Sequence, residues 1–277
     1  MNRIISRKNL SEELIRFEIS TSVSVREIRP GQYLVFKTDE KMPGIPLPVI
    51  KTNAERGTVI TLASASEEGS ATLSNLPAGS SFLAVSGPYG YAARVESLGS
   101  VLCIGREGGI AALVPILSTL RAADNRVSVI LSAASAREMP LEDEIRAMSD
   151  ELTVITDDGS YGEKSDVCPA VGQAMRRHPI QEVMVMGGAK TIRDVFSITT
   201  KYQVPTQAVM YTGRARGKGT HGIFRVSICG NARSICVDGV NFNAYYSNFE
   251  ELVTRFEGAD QPVASSLKDL EKADNKL

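Results

Sequence analysis

The chain has almost no net charge to work with. Of its 277 residues, 31 are basic and 32 acidic, which leaves a formal charge of -1. That balance draws neither nucleic acid nor an anionic membrane surface, so neither is expected as a partner. Long apolar runs are also missing, because the richest stretch, 109–120, is too short to span a bilayer. The opening run MNRIISRKNL lacks the apolar core of a secretory signal. Cysteine is scarce: Cys103, Cys168, Cys229 and Cys236 in so long a chain argue against a disulfide framework. A soluble, cytoplasmic protein is expected. Four cysteines still suffice for one iron–sulfur cluster if their spacing is right. Histidine is rarer, with His178 and His221 alone, and no nucleophile elbow, P-loop or metalloprotease motif is present. His178 precedes Pro179 at an expected helix end, where it favours the helix dipole.

What is present changes texture near residue 98. Before it, short β-rich runs (3–8, 14–21, 32–37, 58–63, 81–85) alternate with turn signals such as Arg29-Pro30-Gly31, Pro43-Gly44 and Gly87-Pro88-Tyr89-Gly90. Strands at that spacing predict a small antiparallel β-barrel over 1–97. Beyond it, strands at 101–104, 127–132, 152–156, 183–186 and 206–210 alternate with helices at 110–123, 141–150, 168–177 and 191–202. That rhythm predicts a doubly wound parallel sheet, a nucleotide-type α/β domain, over 98–210. Residues 211–256 form a third, Gly- and Asn-punctuated piece, and 257–277 a polar tail.

Five local runs persist together across this layout. They are Arg29-Pro30-Gly31-Gln32-Tyr33, Gly87-Pro88-Tyr89-Gly90, Leu141-Glu142-Asp143-Glu144, 156–162 (TDDGSYG) and Cys236-Val237-Asp238-Gly239. On these runs, over about residues 1–256, the chain resembles the ferredoxin–NADP reductase superfamily. Within it the similarity is to the electron-transfer subunits of dihydroorotate dehydrogenase and of NADH-dependent ferredoxin:NADP oxidoreductase. The resemblance implies FAD on the barrel, NAD(P) on the α/β domain, a two-iron cluster in the third piece and a catalytic partner subunit.

Each implied site is altered at its own residues. A C-x4-C-x2-C cluster loop laid on 213–226 puts Arg216, His221 and Phe224 on the ligand positions, leaving Cys236 as the fourth. A guanidinium and a phenyl ring cannot ligate iron, so the cluster is expected to be absent. No C-x2-C unit supports zinc instead, and Cys229-Gly230-Asn231 reads as a hairpin turn. For FAD, Pro46 and Leu47 match the flavin strand, but Pro48 stands where a Ser or Thr is usual and offers neither hydroxyl nor N–H. Gly69, Ser70 and Thr72 are the pyrophosphate candidates, beside the repelling carboxylates of Glu67 and Glu68. For the nicotinamide nucleotide, Gly105, Gly109 and Gly187 remain, while Arg106 and Glu107 replace glycines and Ala112 a proline. Lys190, at an expected helix start, is a candidate anion contact.

Altered cofactor motifs inside an intact set of folding landmarks point to a reductase-like subunit of a heteromeric redox complex. Its redox role is expected to be reduced or lost, in favour of assembly or regulation. The alternative is an FAD- and NAD(P)H-binding electron-transfer subunit that lacks only the cluster. A third possibility is a static FAD without nicotinamide access. The short basic run of Arg214, Arg216 and Lys218 is read as a solvated face.

Overall fold

The computed structural model describes residues 2–11, 14–41, 44–64, 71–90, 92–106, 108–210, 225–228, 231–234 and 241–243. Six strands come first: β1 (Arg3–Asn9), β2 (Leu14–Ser20), β3 (Tyr33–Lys37), β4 (Ile45–Asn53), β5 (Thr58–Ser64) and β6 (Ala84–Tyr89). A one-turn helix α1 (Ala71–Ser74) lies between the last two. All pair antiparallel, in the order β1-β2-β5-β4-β3-β6. Strict alternation in β2 turns Ile15, Phe17 and Ile19 inward, against Leu34 and Phe36 of β3. The sheet curls until β1 meets the segment before β6. There Ile4 N–H donates to Ser80 O (2.9 Å), Gly79 N–H to Ile4 O (2.8 Å) and Phe82 N–H to Asn2 O (2.8 Å).

The second sheet contains β7 (Ser100–Arg106), β8 (Arg126–Ala133), β9 (Glu151–Thr156), β10 (Glu163–Lys164), β11 (Glu182–Gly187) and β12 (Thr206–Met210). A separate antiparallel pair, β13 (Arg225–Ile228) and β14 (Asn231–Ser234), follows, and then β15 (Asn241–Asn243). The order β10-β9-β8-β7-β11-β12-β15 is parallel throughout except for β15, which runs antiparallel to β12. Near-continuous burial of β7 and β11 fits strands covered on both faces. One cover is α4 (Val167–Arg177) with α5 (Ala189–Thr199), through Val171, Ile192 and Val195. The other is α2 (Gly109–Ala122) with α3 (Glu142–Arg146). Helix α2 shares its apolar core with Ile50 and Leu62 of the first sheet. Across the same junction, Arg16 of β2 donates to Glu144 of α3 at 2.6 Å.

Side-chain amides fix the segment that joins the two sheets. The Asn125 side-chain carbonyl accepts from Leu98 and Gly99 N–H (2.7 and 3.0 Å), and its NH2 donates to Glu96 and Leu120 carbonyls (2.8 and 2.9 Å). Gln207 accepts from Arg94 N–H and donates to Arg94 O, both at 3.1 Å. Gln181 accepts from Ser100 N–H at 2.6 Å.

Three elements show instructive departures from expectation. The helix expected over 141–150 is only Glu142–Arg146. Asp150 is drawn toward β8 instead, its N–H donating to Val127 O and its carboxylate accepting from Val127 N–H, both at 2.7 Å. The strand expected over 81–85 is Ala84–Tyr89, so most of the Gly87–Gly90 turn signal is strand paired with β3. Helix α5 begins two residues before the expected 191 and ends at Thr199, with Thr200–Tyr202 a single 3-10 turn.

Candidate functional site

In the second sheet the chain runs β7 to β8 to β9 in one direction, then crosses back to β11 and β12. The order therefore reverses between β7 and β11, and the carboxyl ends of those strands are where such sheets take ligands. The expected residues Gly105, Gly109 and Gly187 all come together at this edge. What the first two do there is set by packing. A Cβ on Gly109 would lie 2.3 Å from Met186 O, and one on Gly105 2.5 Å from Leu113 Cδ1. They let α2 approach β7 and β11 closely, a need that exists with or without a nucleotide. Gly187 is under no such pressure, since a Cβ would meet Thr191 and Arg106 side chains at 3.4 and 3.5 Å.

Arg106 crosses this edge. Its guanidinium donates to Ser132 Oγ, at the end of β8, at 2.6 Å. It also donates to both carboxylate oxygens of Asp157, just after β9, at 3.1 and 2.7 Å. The side chain is only 18% exposed, so it is a packed clamp over three strand ends rather than a waving surface arginine. Beside it opens a cavity of about 380 Å³, lined by Arg106, Asp157, Lys164, Asp166, Lys190 and Asp194 among others. Asp166 caps α4, accepting from Val167 N–H at 2.6 Å. Lys190 does reach the cavity, but its ammonium lies 3.6 Å from Asp194 one turn along α5. Three cations and three carboxylates thus line it, two of the cations paired.

A dinucleotide pyrophosphate does not fit this donor set. The position that needs a glycine for close backbone approach carries the clamped Arg106, and Arg106 and Lys190 each face a carboxylate. Glu107, the other altered position, lies outside the described residues.

The flavin positions are split. Pro46 is exposed and Leu47 buried on β4. Residues 45–48 pair only with β3, and the strand then crosses to pair with β5 from Val49 onward. Two prolines are tolerated because that stretch has one neighbour instead of two. Its free edge accordingly presents no N–H at residue 46 or 48, and Pro48 O is taken by the Thr61 hydroxyl at 2.8 Å. Residues 46 and 48 therefore offer neither a backbone N–H nor a hydroxyl at the flavin position. Thr72 is half-buried in α1, while Gly69 and Ser70 lie outside the described residues.

The cluster positions Arg216, His221, Phe224 and Cys236 also lie outside the described residues, as does Cys229. The strands flanking positions 229–230 do pair, in the register Ile228↔Asn231. Cys103 is buried in β7, where burial pushes its thiol far up, and burial raises that of Cys168 in α4 as well. Neither is an activated thiol. His178, at the end of α4, lies 2.9 Å from Glu151 Oε1.

The retained landmarks bind one another. Gln32 of the Arg29–Tyr33 run donates to Gly90 O at 2.8 Å, and the rings of Tyr33 and Tyr89 lie 5.9 Å apart. In the turn after β9, Asp158 accepts from Ser160 N–H and Oγ–H, which hold its carboxyl below the usual range. The Tyr161 hydroxyl donates to Glu142 at 3.1 Å, joining that turn to the Leu141–Glu144 run. Sequence reasoning noted the turn and missed Asp157 and Ser132 as the partners of Arg106. The only available signal was an arginine at a glycine's position.

A curled antiparallel sheet followed by a doubly wound sheet with its switch point at this edge defines the ferredoxin–NADP reductase class. The chain is 30% identical over 255 residues to a Thermotoga maritima protein described as a dihydroorotate dehydrogenase B (NAD(+)) electron transfer subunit homolog, covering 92% of this chain and 90% of that one. It belongs to that family of electron-transfer subunits and their homologues. Among solved structures it is similar to a chain of NADH-dependent reduced ferredoxin-NADP oxidoreductase, with TM-score 0.82, 27% identity and coverage of 100% and 97%. A Neisseria gonorrhoeae ferredoxin NADP+ reductase with bound FAD and NADP shares the fold, at TM-score 0.59 and 17% identity over 76% of this chain and 97% of that one. No family model matches the chain.

Proposed function

We propose that the chain is a ferredoxin–NADP reductase-like subunit of a heteromeric redox complex, with its own redox role reduced or lost and a function in assembly or regulation. One observation carries this reading. The edge where a dinucleotide belongs is crossed by Arg106, held by Ser132 and a bidentate Asp157. The proline-bearing edge of β4 adds support at the flavin position. The description of the Thermotoga maritima relative as an electron transfer subunit homolog supports a catalytic or redox partner subunit. In this reading residues 1–97 and 98–210 serve as a rigid scaffold, and 211–256 is a remodelled cluster loop. Among the described residues no helix is long and apolar enough to cross a membrane, and the proposed setting is the cytoplasm. With a net charge of -1, docking rests on local surfaces.

A second reading, FAD- and NAD(P)H-dependent electron transfer without the cluster, draws on the cavity of about 380 Å³ kept at the switch point. The visible spectrum of the native complex separates the two. The first reading predicts no flavin band on this chain, or a band that neither NADH nor NADPH bleaches. A near-stoichiometric band bleached by either would overturn it. Iron and acid-labile sulfide at about two per chain would overturn the expected loss of the cluster.

A further inference from the structure

We infer that α3 is a strap between the two sheets, coupling strand β2 of the first to the turn after β9 in the second. The inference rests on the closed edge proposed above and says how it is held, because that turn carries Asp157, a partner of Arg106. Helix α3 is a single turn of five residues, well below the roughly 12 at which an isolated helix begins to hold. No side chain caps its start. It begins on Leu141 in the left-handed region (φ 61°, ψ 18°), which a leucine adopts only at a steric cost. Such a turn depends on what holds it from outside.

Three groups do so. The first is apolar: Ile145 is fully buried in the core that α3 shares with α2, and Leu141 packs against the same core. The other two are polar and point different ways, since residues two apart on a helix do not share a face. Glu144 accepts from the Arg16 guanidinium of β2 at 2.6 Å, across 128 residues of chain. Glu142, only 16% exposed, accepts from the Tyr161 hydroxyl at 3.1 Å and from Arg146 at 2.5 Å. Tyr161 is itself clasped by buried Thr156, whose hydroxyl donates to Tyr161 O at 2.7 Å and accepts from its N–H at 3.1 Å. The segment before α3 grips the same turn: Ala133 O accepts from Asp157 N–H at 3.1 Å, and Ala136 N–H donates to Ser160 Oγ at 2.9 Å. Arg16, α3 and the turn thus make one continuous run of contacts from the first sheet to the edge of the second. A helix this short forms or frays as a unit, so cutting either polar tie loosens the other. The Arg16–Glu144 pair is partly exposed, and its effect falls on local order rather than on global stability.

The test is amide hydrogen exchange on the full chain. Arg16→Ala is expected to speed exchange at the amides of residues 160 and 161 by about threefold or more, while the centre of β7 stays protected. Tyr161→Phe is expected to do the same. The double variant is expected to add little to either, because both changes cut one strap. The swapped pair Arg16→Glu, Glu144→Arg is expected to return exchange at the turn toward the native rate. Native rates at the turn in Arg16→Ala would overturn the inference, and so would single-variant effects that simply multiply in the double variant. A swapped pair that leaves the turn as open as Arg16→Ala would also count against it. Should circular dichroism show Arg16→Ala unfolded, Arg16→Gln takes its place. These rates are read without flavin or nucleotide, so their failure leaves the proposed function standing, and a flavin bleached by NADH or NADPH would leave the strap standing.

Discussion

Gly109 separates two reasons for keeping a glycine at a nucleotide-type loop. A methyl group there would be driven to 2.3 Å from Met186 O, a backbone atom that cannot step aside. Gly109→Ala is expected to cost about 2 to 4 kcal/mol, whereas Gly187→Ala, with ordinary side-chain contacts, is expected to stay within about 1 kcal/mol of native. Urea unfolding of the two variants measures the difference. Asp150 supplies a second residue-level prediction. Its carboxyl is held below its ordinary value of 3.8, first by Val127 N–H and then by Arg121. A carboxyl that is more acidic in the folded chain stabilises the fold above its unfolded value, and that contribution fades as pH falls through the folded one. Unfolding free energy is therefore expected to drop below about pH 4, and Asp150→Asn to flatten that part of the profile.

At the level of elements, the joint between the sheets depends on amides rather than on apolar packing alone. Asn125 is 3% exposed and makes four bonds, two of them accepted from the backbone N–H groups of Leu98 and Gly99. Asn125→Ala is expected to cost about 2 to 3 kcal/mol. Hydrogen exchange should speed up at Leu98 and Gly99 while protection in the centre of β7 persists. Strand identity was legible here because alternation in β2 and continuous burial in β7 and β11 follow from which faces are covered. The end of β6 was not. A Gly-Pro-Tyr-Gly run has turn composition, and only the pairing of Tyr89 with Tyr33 makes most of it strand. The shortness of α3 was hidden for a similar reason, since Asp150 answers to Val127 on β8 rather than to its own helix. Local pattern reports which residues suit an element, and tertiary bonds decide where the element stops.

For the molecule as a whole, the fold was readable from its rhythm, and the site only from its departures. That Arg106 and Glu107 replace glycines is visible in the chain, but the consequence for Arg106 depends on Ser132 and Asp157, 26 and 51 residues away. No pattern of spacing announces that a carboxylate from a later turn will close over an earlier loop. The fold brings these residues together at the switch point, where relatives of this class present a nucleotide-type edge, and Arg106 and Lys190 there each have a carboxylate partner. The central claim is that this edge excludes the dinucleotide. The most direct test is equilibrium titration of the native complex with NADH and with NADPH, read by calorimetry on the intact assembly and on one lacking this chain. The account predicts no heat assignable to this chain up to about 1 mM of either nucleotide. Saturable binding that needs this chain, with Kd in the range of about 1 to 100 μM, would contradict it.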